Sequence, residues 1–216
     1  MQKLIWGVDS AAAVNEQLLQ CVRSNFGQPD VWGRYLNTIE NVSEGLTRTE
    51  ISFLKNNGIK VMPIYNNFRS AVGYQAGRIA AQNAIYNAQR VGIDEGVFIF
   101  ANVERFFEVD ADWIIAWVER FYNSNYRPGI YNDPTEGPFN EAYCQAAERS
   151  DLVREQTVLW SAEPEVGISA KTKMPRYNPV APNCGGNVWA WQYGRDADEC
   201  PIDTILVQER LFSELH

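Results

Sequence analysis

Residues Val97–Val103 read VFIFANV, and Glu104 comes next in the chain. All but one of these side chains are apolar, the pattern of a strand buried on both faces, and a carboxyl group follows at its end. A long helical pattern precedes it, Ser70–Gly92, in which Ala71, Ala76, Ile79, Ala80, Asn83 and Ala84 make a small-residue face. Another follows it, Asp110–Ser124, carrying Trp113, Ile114, Trp117 and Phe121. The alternation continues outward. Toward the N-terminus it reads as strand Leu4–Val8, helix Ala11–Phe26 with Asp9-Ser10 as caps, strand Val31–Leu36, helix Thr49–Asn57 and strand Ile59–Tyr65. Toward the C-terminus it reads as strand Arg127–Tyr131 and helix Asn140–Arg149. Strands alternating with helices are the mark of parallel βαβ units.

After Arg149 the rhythm changes. Thr157–Ala162, Val188–Tyr193 and Ile202–Val207 read as strands, while Glu163–Gly186 is rich in Pro and Gly and has no helical period. Eight strands with helices after only the first five predict an α/β fold, a closed TIM-like (β/α) barrel of the (β/α)5β3 type, with residues 1–216 as one domain. Only eight residues separate Tyr193 from Ile202, too few for a parallel crossover. The last strand is therefore expected to run antiparallel to the seventh. That sets Asp203 at the same barrel end as the C-terminal tips of the other strands, and Cys184 and Cys200 at opposite ends. The segment Glu163–Gly186 is too long for a plain connection and is expected to have a function.

Composition narrows the chemistry. The net charge of −8 argues against nucleic acid or an anionic membrane surface as partner. No apolar run reaches the roughly 18 residues of a transmembrane helix, and no charged leader precedes an apolar stretch. The single histidine is the last residue, His216, which argues against a histidine metal site and a Ser/His/Asp triad. Cys21, Cys144, Cys184 and Cys200 form no C-x-x-C pair, and in a chain of this length they read as buried free thiols. Asn41-Val42-Ser43 matches a glycosylation sequon by pattern alone.

Barrel enzymes build their sites at the C-terminal ends of the strands. Here those tips carry Asp9, Arg34-Tyr35, Tyr65-Asn66, Asn102-Val103-Glu104-Arg105, Tyr131-Asn132-Asp133, Trp160 and Gln192, with neither Lys nor His. Aromatic rings with amides suit a sugar, whose C–H face is apolar and whose rim is hydroxyl. Carboxyl groups among them suit glycoside cleavage, in which one acid protonates the leaving oxygen and another group stabilises charge or activates water. Each residue also has a structural reading: Asp9 as a helix cap, Glu104 as an ion-pair partner of Arg34 or Arg105, Asp203 as a turn anchor, and the Tyr-Asn pairs as core rings followed by turns.

Several short motifs carry a family resemblance: Gly7-Val8-Asp9, Phe100-Ala101-Asn102-Val103-Glu104, Gly129-Ile130-Tyr131, Trp160, Trp191-Gln192-Tyr193 and Ile202-Asp203. In this order and spacing the chain resembles the glycoside hydrolase family 25 lysozymes. It is more similar still to the bacterial glycoside-hydrolase-like domain family that shares their fold. The lysozymes carry Asp-x-Glu on strand four, with the Glu as proton donor. The resemblance thus implies Glu104 as general acid and Asp9 and Asp203 as supporting carboxyls, with Asn102 where the motif has Asp. It implies Asn102, Tyr35, Tyr65, Asn66, Tyr131, Trp160 and Gln192 as sugar contacts, no cofactor, and a monomer that is secreted or wall-associated. Three functions fit these residues: a cell-wall glycosidase, a non-catalytic glycan-binding domain, and an enzyme holding a divalent cation between Asp9, Glu104 and Asp203.

Overall fold

The computed structural model describes residues 3–216. Strands β1 (Leu4–Ser10), β2 (Val31–Tyr35), β3 (Lys60–Tyr65), β4 (Phe98–Asn102), β5 (Arg127–Asn132), β6 (Val158–Ser161), β7 (Asn187–Gly194) and β8 (Asp203–Gln208) close into a barrel in chain order. β1 through β7 run parallel to one another, and β8 runs antiparallel to both β7 and β1. Helices α1 (Glu16–Asn25), α2 (Arg48–Asn56), α3 (Tyr74–Val91) and α4 (Ala111–Tyr122) follow the first four strands. Both α5 (Phe139–Arg149) and α6 (Asp151–Gln156) follow β5, and the short α7 (Glu209–Phe212) follows β8. The TIM-like barrel and its antiparallel last strand are as the sequence predicts. No helix among the described residues is long and apolar enough to cross a membrane.

The two-residue period of the strands sorts the side chains into two layers. Ile5, Val31, Met62, Ile64, Phe98, Phe100, Val158, Trp160, Ala190, Ile205 and Val207 fill the barrel. Trp6, Val8, Trp32, Val61, Tyr65, Ile99, Ala101, Ile130, Leu159, Trp191 and Leu206 face outward into the helical layer. Leu211 and Leu215 join the inner cluster from the C-terminal segment. The small residues that α3 buries are Gly77, Ala80, Ala81, Ala84 and Ala88; of the face expected from sequence only Ala80 and Ala84 belong to it, since Ala76, Ile79 and Asn83 are exposed and Ala71 precedes the helix. At Gly77 a Cβ would meet the Trp113 carbonyl oxygen at 2.4 Å, so only glycine fits.

The structure corrects three further expectations. First, α1 starts at Glu16 rather than Ala11, and Asn15 caps it by accepting from the Leu18 N–H, so neither Asp9 nor Ser10 is the cap. The intervening turn is drawn elsewhere. Arg34 donates to the Ser10 and Ala11 carbonyls, and Glu44 and Glu50 accept from the Ala13 and Val14 N–H groups. Second, α6 and α7 are too short to register as a period. Third, the cysteines are not free thiols: Cys21 is bonded to Cys200 and Cys144 to Cys184. Both bonds join segments far apart in sequence, so spacing gave no hint of them. Cys184 and Cys200 are not bonded to each other.

No α-helix follows β6 or β7, only a 3-10 turn at Lys171–Lys173. The segment 162–186 crosses the outside of that wall, fastened residue by residue. Trp191 Nε1 donates to the Pro164 carbonyl at 3.1 Å, and Tyr177 hydroxyl to the Val188 carbonyl at 3.0 Å. Lys171 Nζ reaches Asp30 at 2.6 Å. The Cys144–Cys184 bond ties the same segment to α5, and Cys21–Cys200 ties α1 to the β7–β8 connection.

Candidate active site

Strand alternation carries Asp9 inward in phase with Ile5, and it ends 4% exposed at the barrel mouth. Because β8 enters from that end in the opposite sense, Asp203 lies in direct cross-strand register with Asp9. Gln192, in phase with the inward Ala190 on β7, bridges them: its Nε2 donates to Asp9 Oδ2 at 3.1 Å and to Asp203 Oδ2 at 2.9 Å. Its Oε1 accepts from the Tyr131 hydroxyl at 2.7 Å. Asp203 Oδ1 accepts from the Asp196 N–H at 2.7 Å. Gly33 on β2 makes room beside the pair. A Cβ there would come 2.6 Å from that of Asp9 and 3.2 Å from the Trp160 ring.

On β4, Asn102 is in phase with the inward Phe98 and Phe100, and its Nδ2 donates to Glu104 Oε1 at 2.9 Å. The ion-pair reading of Glu104 fails on its partners. Buried Arg34 is bound to Glu50 at 2.6 Å and Arg105 to Glu136 at 3.0 Å, and Glu104 has no ion pair among the described residues.

The electrostatics follow from burial and from like charges held together. Burial holds Asp9 well above the ordinary aspartate range, and the charge of Asp203 raises it further against the hydrogen bond from Gln192. Burial pushes Asp203 up to about 6, opposed by the Asp196 N–H. The Tyr35 hydroxyl lies above its usual range through burial and then through the charges of Asp9, Glu104 and Asp203. Tyr131 is raised by burial and then by Glu104.

These groups surround one open cavity of about 330 Å³. Of the residues expected from sequence, Asp9, Tyr35, Asn102, Glu104, Tyr131, Trp160, Gln192 and Asp203 line it. Tyr65 and Asn66 do not. Tyr65 has the outward phase of Val61 and stacks on Phe68 and Trp117, at 6.0 and 6.3 Å between ring centroids. Asn66 Nδ2 donates to Ser43 Oγ at 2.9 Å. A second cavity of about 470 Å³ shares Asp9, Tyr35, Asp196 and Asp203 and continues along Ser10–Ala12, Pro201 and Ile202, so the mouth is extended on the β1–β8 side. Among the described residues no three of His, Cys, Asp or Glu are grouped to hold a metal ion, which leaves the divalent-cation reading without a site.

Sequence reasoning did not select Ile64, Arg105, Phe106, Asp133, Ala162, Arg195 or Asp196, all of which line the first cavity. For Asp133 the signal was present, since it follows Tyr131 at a strand tip. For Arg195 and Asp196 it was present as well, because a short antiparallel connection after β7 must sit at the mouth. Phe106, 76% exposed on the β4–α4 connection, had no such signal.

The closed (β/α)5β3 barrel, with acidic residues and aromatic rings around its mouth, is the frame of a glycoside-hydrolase-like protein. The comparisons agree. The Rv2525c-like, glycoside hydrolase-like domain family matches residues 29–189, and the chain belongs to that family. An uncharacterized B. stearothermophilus protein of known structure is 56% identical, with a TM-score of 0.97 over 98% of this chain and 100% of its own. The Clostridium perfringens spore cortex lytic enzyme SleM shares the fold at 16% identity and a TM-score of 0.61, over 98% of this chain and 69% of its own. The bacterial lysozyme from Streptomyces coelicolor does so at 12% identity and a TM-score of 0.55, over 97% of this chain and 95% of its own. No curated protein matches the sequence.

Proposed function

We propose that the barrel mouth binds a cell-wall glycan of the peptidoglycan type and hydrolyses a glycosidic bond in it. The observation that supports this is the convergence of Asp9, Glu104 and Asp203, from three separate strand ends, on one open cavity walled by Tyr35, Tyr131 and Trp160. Fold relatives named as a spore cortex lytic enzyme and a lysozyme point to the same substrate class. The two disulfides suit an oxidising compartment, as a secreted or wall-associated protein would meet.

In this reading Asn102 holds Glu104 Oε1, and the Glu104 carboxyl delivers its proton to the leaving oxygen as the bond to the anomeric carbon breaks. Burial raises both carboxyls of the Asp9–Asp203 pair above the ordinary aspartate range, Asp203 to about 6, and the pair carries negative charge once Asp203 ionises. That charge stabilises the oxocarbenium-like centre. Water then adds to the carbon and returns its proton to the acidic groups. The test is incubation with purified peptidoglycan, with products read by mass. New reducing ends are expected, and Glu104→Gln is expected to slow their release by about 10²- to 10⁴-fold while binding persists. Undiminished cleavage by Glu104→Gln removes Glu104 from the mechanism.

One observation favours a second reading, a domain that binds glycan without cutting it. Asn102 occupies the first position of the strand-four motif and cannot act as an anion. Retention on insoluble wall material with no reducing ends released is the outcome expected of that reading.

A further inference from the structure

The cavity at the barrel mouth is more acidic than cleavage of a neutral sugar needs. Five acidic side chains line it, Asp9, Glu104, Asp133, Asp196 and Asp203, against two arginines. Both arginines already pair with glutamates. Arg105 is bound to Glu136 at 3.0 Å, and Arg195 to Glu163 and Glu165, each at 3.3 Å. Yet the acids are not gathered for an inorganic ion, since no three of them group as metal ligands.

A second observation concerns Asp133, which is 3% exposed. Its Oδ1 accepts from the Thr135 N–H and hydroxyl at 2.8 Å each and from the Glu136 N–H at 2.9 Å. Those bonds fix the carboxyl plane, while Oδ2 is buried without any hydrogen-bond partner. Such an oxygen is costly to leave unpaired, and it can only accept. The aromatic walls formed by Tyr35, Tyr131 and Trp160 add ring faces that attract cations.

We propose that the sugar recognised in this cavity is a cationic amino sugar, a 2-amino-2-deoxyhexose with its amine free, rather than an N-acetylated or acidic residue. The inference rests on the glycan reading above and names the charge of the glycan. A protonated amine offers three N–H donors to the surplus of acceptors and relieves the crowding of like charges. An acetamido group carries no charge. A carboxylated sugar would add a further negative charge beside the five acids already there.

The experiment is calorimetric titration of the intact protein with two β-1,4-linked tetrasaccharides, one of glucosamine and one of N-acetylglucosamine. It is run at about pH 6, below the ordinary range of an α-amino group. The amine form is expected to bind about tenfold tighter or more, the scale of one hydrogen bond to a charged group. The difference is expected to shrink as salt is raised from about 0.05 to about 0.5 M. Asp133→Asn keeps an oxygen for the Thr135 and Glu136 bonds, and it is expected to cut the preference for the amine form severalfold. Equal or tighter binding of the acetylated form, or a preference untouched by both salt and Asp133→Asn, overturns the inference and leaves the glycan reading standing. Binding of neither sugar overturns the glycan reading, and this inference with it.

Discussion

The two sides of this barrel are covered by different means. Around β1 to β5 the outward side chains meet helices. α4 alone lays Trp113, Ile114, Trp117 and Phe121 against the layer, and Trp113 and Trp117 stack at 5.4 Å with an interplanar angle of 9°. Around β6 to β8 the outward Trp191 and Tyr193 meet the irregular segment 162–186, held down by Cys144–Cys184, while Cys21–Cys200 fastens the β7–β8 connection to α1. A helix satisfies its own backbone and needs only an apolar face to stay in place. An irregular segment must have its polar groups satisfied one at a time and its chain entropy restrained by cross-links. The candidate site spans both sides. Asp9, Asn102 and Glu104 come from the helical wall, Gln192 and Asp203 from the other, and the β1–β8 seam joins them.

If that contrast is right, cross-links matter most where helices are missing. Replacing Cys21 and Cys200 together by Ala is expected to lower stability by about 5 kcal/mol and the Cys144 and Cys184 pair by about 4 kcal/mol, from the loop closure each bond removes from the unfolded chain. Urea denaturation with and without reductant measures both, and unchanged midpoints would mean that the segment's hydrogen bonds suffice. On the helical side the matching damage comes from packing. Trp117→Ala deletes a fully buried ring that stacks on Trp113 and contacts Tyr65 and Phe121, and a loss of about 4 kcal/mol is expected, equal in oxidised and reduced protein.

The same contrast governs what could be read from the sequence. Helices and strands have periods, so the barrel, its five-helix layer and the reversed last strand were legible from apolar spacing and from one short connection. Parity was legible too but went unused: Tyr65 is out of phase with Met62 and Ile64, which face inward, and so its phase excludes it from the mouth. The start of α1 was misread because Arg34, distant in sequence, claims the carbonyls that a helix beginning at Ala11 would use. The disulfides were illegible for a similar reason, since their partners meet only in the folded barrel, Cys144–Cys184 once the irregular segment crosses the wall and Cys21–Cys200 once β7 and β8 close against β1. The convergence of Asp9, Glu104 and Asp203 could be predicted because each sits at a strand end whose direction the topology fixes.

The seam between the two walls offers the next test. With Asp203 lifted to about 6 and Asp9 lifted as well, the folded protein holds protons that the unfolded chain releases near pH 4. The stabilisation from Asp203 is therefore fully present below about pH 4 and is lost as pH rises through about 6, and Asp9 acts in the same direction. Asp203 alone accounts for about 3 kcal/mol across that window. Asp9→Asn keeps an oxygen to accept from Gln192 and removes one titrating group. The variant is expected to be more stable than the parent at neutral pH and to show a shallower fall between about pH 4 and about pH 6. Urea midpoints at several pH values measure this, and parallel curves for parent and variant would show that the seam carries no such strain.

The smallest effect tests the join itself. The Tyr193 hydroxyl, fully buried, accepts from Trp6 Nε1 of β1 at 2.9 Å and donates to the Ser169 carbonyl of the covering segment at 3.2 Å. One oxygen thus links the first strand of the helical wall to the chain that stands in for helices on the other. Tyr193→Phe removes only that atom and leaves the ring packed against Trp191. It strands a buried indole N–H and a carbonyl, so a loss of about 1.5 kcal/mol is expected. Because Ser169 lies between Pro164 and Lys171, both already fastened, the loss should show as faster hydrogen exchange near Ser169 with α1 to α4 unaffected. Exchange that accelerates evenly over both walls would mean that the covering segment opens only with the whole barrel, and the contrast between the walls would then be one of construction and not of local stability.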